Sequence, residues 1–140
     1  MDLGTFGAIL RFAMDWEQRA AEFYEQAARA GNEVLFQEMA GGARKRIGRL
    51  EQARREGVAE MILESITGLD GDAYTVALDP TADGAALLRQ AQSLEESAAR
   101  FYRDAAARLP IREVMRLFQR LGQEHESAGQ RFGEAASQPG

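Results

Sequence analysis

Two stretches of the chain, AMDWEQRAAEFYEQAA at residues 13–28 and AQSLEESAARFYRDAA at residues 91–106, are versions of one pattern. Their alanine, glutamate and Phe-Tyr positions coincide when the second is placed 78 residues after the first. A weaker likeness, at an offset of 82 residues, relates residues 35–51 to residues 117–134. The chain therefore consists of two related halves, and each half contains two segments that correspond to the two segments of the other half.

Apolar residues recur at spacings of three and four in all four segments, which is typical of amphipathic helices. The first stripe is Phe6, Leu10, Ala13, Glu17, Ala20, Tyr24 and Ala27, and the third is Leu88, Ala91, Glu95, Ala98, Tyr102 and Ala105. The second stripe is Phe36, Met39, Ala43, Arg46, Leu50 and Ala53, and the fourth is Val114, Phe118, Leu121, His125, Ala128 and Phe132. Four long helices that face one core are predicted.

The links between the segments predict an all-α, antiparallel four-helix bundle. Gly31-Asn32 ends the first helix, Asp83 or Thr81 caps the third, and Pro110 suits the first turn of the fourth. We expect one domain over residues 1–136, made of hairpins at about 3–56 and 82–135, with a frayed tail at 137–140. The link at 57–81 is long enough to cross the bundle between helices 2 and 3, and we expect a helical turn or two at 61–66 followed by an extended stretch.

Composition excludes several classes of function. The net charge of the 140 residues is −5 and basic residues alternate with acidic ones, so no nucleic-acid surface is expected. The absence of Cys excludes disulfides, thiolate metal sites and iron–sulfur clusters. No run of about 18 apolar residues is present, and the N-terminal residues lack the pattern of a signal peptide. We therefore expect no membrane segment and a cytoplasmic location.

Each inward stripe contains one residue that an apolar core would not select: Glu17, Arg46, Glu95 and His125. A polar side chain buried without a partner costs several kcal/mol, on the order of 2–7 for a neutral group and more for a charged one. Four such side chains at one level of a bundle should therefore satisfy one another or bind a ligand.

The spacing of these residues resembles that of the rubrerythrin and ferritin-like family of di-iron carboxylate proteins. Rubrerythrin-like chains have a Glu six residues before a Phe-Tyr pair in helices 1 and 3, as Glu17 and Glu95 do here. The resemblance implies a ferritin-like bundle, iron binding and redox chemistry with peroxide or oxygen. It also implies that Tyr24 and Tyr102 lie near the metal position, and Glu124 is a further carboxylate close by.

Helices 2 and 4 depart from the family pattern. The family has Glu-x-x-His there, whereas this chain has Ala43 and Arg46 in helix 2, and His125 and Ala128 in helix 4. Ala43, Arg46 and Ala128 are thus lost ligand positions. Only Glu17 and Glu95 retain the expected type, with His125 as a substitute, and three ligands are few for two metals.

Several hypotheses follow. The first is a non-catalytic protein in which Arg46 and His125 neutralise Glu17 and Glu95, with no cofactor. The second is a mononuclear iron, manganese or zinc site of Glu17, Glu95 and His125 with oxidase or peroxidase-like activity. A kink near Gly41-Gly42 or Gly48 could instead turn Arg46 outward.

A further alternative is a helical binding or interaction protein, with a small-molecule cavity where Ala43, Ala128, Gly42 and Gly122 replace larger residues. The family resemblance implies a homodimer, and the sequence identifies no other protein partner.

Overall fold

The structure, a computed structural model, describes residues 2–57 and 66–137. Four helices account for most of them: α1 at Phe6–Ala27, α2 at Glu33–Gly57, α3 at Gly84–Ala106 and α4 at Arg112–Ser137. Within these two ranges no strand is present, and an isolated antiparallel bridge joins Asp2 to Asp70. The prediction of an all-α four-helix bundle is confirmed.

Local signals determine where the helices begin and end. Thr5 and Asp83 cap α1 and α3 by accepting hydrogen bonds from backbone amides three residues later, at 3.0 and 2.8 Å. After α1 a short 3₁₀ turn, Ala28–Ala30, leads to Gly31 and Asn32, which both have positive φ. Pro110 precedes α4 by two residues, so its predicted place in the first turn is wrong.

The helices pack as two hairpins, α1 with α2 and α3 with α4. α2 and α4, which belong to different hairpins, are antiparallel as well, because Glu38 pairs with Arg131 near one end of their seam and Arg49 pairs with Glu124 further along it. Aromatic rings fill both ends of the core: Tyr24, Phe36 and Phe132 at one end, and Phe12, Tyr74, Phe101 and Phe118 at the other.

The second part of the crossover is held against α1 and α3. Leu3 and Ile66 join the N-terminal residues to it by backbone hydrogen bonds, Leu3 N to Leu69 O and Ile66 N to Gly4 O, both at 3.0 Å. A 3₁₀ turn, Gly71–Tyr74, follows, and the Tyr74 hydroxyl donates to Asp104 of α3 at 2.6 Å. Residues 75–79 have no regular structure, and the helical turn predicted at 61–66 lies almost wholly outside the described residues.

Over the described ranges, no helix is both long enough and apolar enough to cross a lipid bilayer. The predicted tail also falls mainly beyond them, since α4 extends to Ser137.

Candidate functional site

The four polar residues of the inward stripes meet at one level of the bundle, one from each helix. Glu17, Glu95 and His125 are fully buried, and Arg46 is 6% exposed. Arg46 therefore points inward, and the Gly residues of α2 do not turn it to solvent. Each lies on its helix at a position of the core stripe, which is why each side chain faces the core.

His125 lies between the two buried carboxylates. Its Nε2 is 2.7 Å from Oε2 of Glu17, and its Nδ1 is 3.0 Å from Oε2 of Glu95. The imidazole ring stacks on Tyr102, with ring centroids 5.2 Å apart and planes inclined by 11°. Both ring nitrogens are thus engaged by protein oxygens, and the ring cannot turn without losing two charged contacts.

Glu17, Arg46, Glu95 and His125 form one charged network. Glu17 is the carboxylate of this network that makes the most hydrogen bonds. Besides His125, it accepts a hydrogen bond from Nε of Arg46 at 2.9 Å and one from the Tyr102 hydroxyl at 2.6 Å. Helices α1, α2, α3 and α4 are therefore all tied to a network centred on one side chain. Tyr102 was predicted only as a neighbour of the site, but it contacts Glu17 directly.

Glu17 and His125 hold each other ionised. Burial raises the pKa of Glu17, but His125, Arg46 and the Tyr102 hydroxyl outweigh it and lower that pKa to about 2. Burial lowers the pKa of His125, and the charges of Glu17 and Glu95 more than reverse this, raising it to about 9. At neutral pH His125 is therefore a cation that donates from both nitrogens.

Tyr24, the repeat counterpart of Tyr102, is placed differently. Its hydroxyl is buried and has no hydrogen-bond partner of ordinary geometry among the described residues. Burial and the nearby charge of Glu95 raise its pKa well above 10. Each tyrosine therefore faces the glutamate of the other hairpin, but only Tyr102 is bonded to it.

A comparison with protein-family models matches residues 7–126 to the ferritin-like domain. The match covers most of the chain: it includes α2 and α3, nearly all of α1, the first part of α4 and the four network residues. The chain belongs to the ferritin-like family. Comparisons with curated proteins and with solved structures give no significant match.

In this ferritin-like chain, Arg46 is the one lost ligand position that takes part in the network, by its bond to Glu17, and the other two, Ala43 and Ala128, add no polar group to it. Ala43 and Ala128 are buried, at 0% and 7% exposure, and Gly122 packs against α3 near Tyr102. Glu124, the further carboxylate predicted close to the site, is half-buried and turned toward α2, where it pairs with Arg49 at 2.7 Å and lies 3.5 Å from Nη1 of Arg46. Arg49 was missed by the sequence analysis, although it lies one helical turn after Arg46.

The residues present do not fit a metal ion. Across residues 2–57 and 66–137, no group of three or more His, Cys, Asp or Glu side chains has an arrangement that could hold one. The reason is the chemistry of the side chains. A doubly protonated His125 has no free lone pair on either ring nitrogen to coordinate a metal, and Arg46 is hydrogen-bonded to the Glu17 carboxylate that a metal would need.

Proposed function

We propose that this chain is a metal-independent member of the ferritin-like family, in which a charged network replaces the metal ions and the bundle serves as a binding or interaction protein. The observation that carries the proposal is His125, whose two nitrogens both contact buried carboxylates. In this arrangement the imidazole of His125, on α4, links Glu17 of α1 to Glu95 of α3 without a metal ion.

The charge balance supports the same proposal. The cations Arg46 and His125 match the anions Glu17 and Glu95, so the four side chains sum to zero charge inside the core. Adding a divalent cation would leave two uncompensated positive charges, unless Arg46 moved out and His125 lost a proton. Removing one partner of a buried pair costs about 3–5 kcal/mol, which opposes such a rearrangement.

Elemental analysis tests the proposal. Protein purified without a metal-binding tag is incubated anaerobically with Fe(II), desalted and analysed, beside the matched double variant Ala43→Glu/Arg46→His, which restores a Glu-x-x-His motif in α2. We expect the natural chain to retain less than about a tenth of an iron per molecule and the double variant to retain more, because its added ligands are those that iron prefers.

The alternative is the mononuclear site, since two carboxylates and an imidazole do meet in the core. Iron, manganese or zinc near one per chain in the natural protein, lost in Glu95→Ala, would establish that alternative and overturn metal independence. Peroxidase and oxidase assays would then follow.

A further inference from the structure

A groove of about 760 Å³ lies between α2 and α4, directly outside the charged network. It exists because three small residues, Gly41, Gly42 and Ala128, face the seam between the two helices. Its buried apolar surface includes Met39 and Ala128, which are 6% and 7% exposed. The groove thus combines the open space that small residues leave with two little-exposed apolar side chains, and the rest of its lining is polar or charged.

Arg46 turns unused hydrogen-bond donors toward this groove. Its Nε is bonded to Glu17, but its Nη1 and Nη2 make no hydrogen bond to any residue that the structure describes. The nearest carboxylate on that side is Glu124, 3.5 Å from Nη1, and Arg49 holds Glu124 more closely at 2.7 Å. Arg46, whose side chain is 7% exposed, therefore presents the outer edge of its guanidinium to the groove without a good acceptor.

The rim of the groove carries uncompensated positive charge. Lys45 and Arg120 line it and form no ion pair within the described ranges, whereas Arg131 is bound by both oxygens of Glu38 at 3.0 and 2.8 Å. The cations of the rim thus outnumber its available anions, in a chain whose net charge is −5. A positive concave surface on an acidic protein favours an anionic ligand.

We propose that the α2–α4 groove binds a small organic carboxylate with a short apolar tail. The two Nη groups of Arg46 form the planar fork that matches the two oxygens of a carboxylate, and Lys45 and Arg120 attract the charge. The apolar tail lies along Met39 and Ala128. This inference rests on the proposed function, because it requires Arg46 to stay in the network.

A titration of the full chain with hexanoate, followed by ¹H–¹⁵N NMR, tests the site. We expect saturable shifts at the amides of Gly41, Gly42 and Ala128 and at the Arg46 side-chain Nε–H. Acetate should bind more weakly because it lacks the tail, and 1-hexanol and hexylammonium should leave these signals unmoved because they lack the negative charge. Inorganic phosphate that binds as well as hexanoate would overturn the assignment of a carboxylate with a tail.

Charge reversal on the rim gives variants that keep the core intact. Lys45→Glu/Arg120→Glu should weaken hexanoate binding roughly tenfold or more, since the two charges that attract the carboxylate are reversed. The matched control is Arg54→Glu/Arg116→Glu, which reverses exposed charges on the same two helices outside the groove. If both variants weakened hexanoate binding equally, the net charge of the protein would explain the effect, and the assignment of binding to the groove would be overturned.

A larger side chain at Gly42 tests the groove independently of its rim charges. A Cβ at Gly42 would lie 3.4 Å from Nη1 of Arg46, so Gly42→Leu should block the guanidinium edge and abolish the shifts. Folding of this variant is checked by circular dichroism, and Gly48→Leu, where a Cβ meets nothing, is its control.

The two proposals fail in distinguishable ways. Metal-free protein that shows no hexanoate shifts overturns the groove site and leaves metal independence standing. Protein that loads iron near one per chain overturns metal independence, whatever hexanoate does.

Discussion

The hydroxyl of Tyr102 in α3 donates a hydrogen bond to Oε2 of Glu17 in α1 across 2.6 Å, inside a core closed to solvent. This bond joins the two repeated halves at their most similar point, because Tyr102 and Glu17 both belong to the recurring Glu/Phe-Tyr pattern. The reciprocal pair, Tyr24 and Glu95, lacks an equivalent bond. The two halves of the sequence are therefore similar, but the hydrogen bonds of their tyrosines differ.

The asymmetry gives a matched pair of substitutions. Tyr102→Phe should lower the free energy of unfolding by about 1.5–3 kcal/mol, because a hydrogen bond to a charged group is lost. Tyr24→Phe should change it by less than about 1 kcal/mol, since its hydroxyl has no bond to lose. Urea unfolding followed by circular dichroism measures both, and equal losses would contradict the asymmetry.

Arg46 should be coupled to Glu17 in stability. Arg46→Met should destabilise the protein by about 3–5 kcal/mol, because it leaves a buried carboxylate short of its cation. The double variant Arg46→Met/Glu17→Gln should recover part of that loss. A double-mutant cycle from urea unfolding gives the coupling energy.

The control for Arg46 is Arg44→Met, whose exposed ion pair with Glu25 should contribute no more than about 1 kcal/mol. Additive effects of Arg46→Met and Glu17→Gln would mean that the two side chains act independently, contrary to the network.

Much of the fold could be predicted from the sequence, because helical periodicity fixes which residues face the core. Glu17, Arg46, Glu95 and His125 lie on stripes at spacings of three and four, and the structure buries all four. The Gly31-Asn32 ending was also predicted, and Asp83 was one of the two caps predicted for α3, since positive φ and side-chain capping depend on local residue type.

The pairing within the network could not be predicted, because it depends on side-chain reach across helices. Nothing in the spacing distinguishes Tyr24 from Tyr102. Their neighbours differ in space: Tyr102 stacks on His125, whereas Tyr24 lies between Phe36 and Phe132. Gly42 and Ala128 did predict a small-molecule cavity as one alternative, but its position between α2 and α4, outside the network, depends on how these two helices pack.

The crossover should depend on a close contact at Gly71. A Cβ there would lie 2.6 Å from Cε2 of Phe12, so Gly71→Ala should displace the 3₁₀ turn and cost about 1–3 kcal/mol. Gly41→Ala is the control: its Cβ meets nothing, and it should stabilise α2 by up to about 1 kcal/mol. Thermal unfolding compares the two, and a neutral Gly71→Ala would show that the turn is not packed on α1.

Stability should vary with pH according to the two shifted groups of the network. The folded pKa of His125 is raised to about 9 from 6.5, so its contribution is complete below pH 6.5 and is lost as the pH rises to 9. The folded pKa of Glu17 is lowered to about 2 from 4.5, so its contribution is complete above pH 4.5 and is lost as the pH falls to 2. Their combined contribution is therefore greatest between about pH 4.5 and 6.5.

Because His125 is the only histidine, the loss of stability between pH 6.5 and 9 can be assigned to it. Urea unfolding between pH 6 and 9.5 should show that the free energy of unfolding falls by up to about 3 kcal/mol, which corresponds to a pKa shift of this size for one group. His125→Gln should flatten that limb, while NMR of the imidazole protons reports the folded pKa directly. An imidazole that titrates near 6.5 in the folded protein would mean that His125 is not held as a cation by the two carboxylates, and the charge balance of the core would then have to be drawn differently.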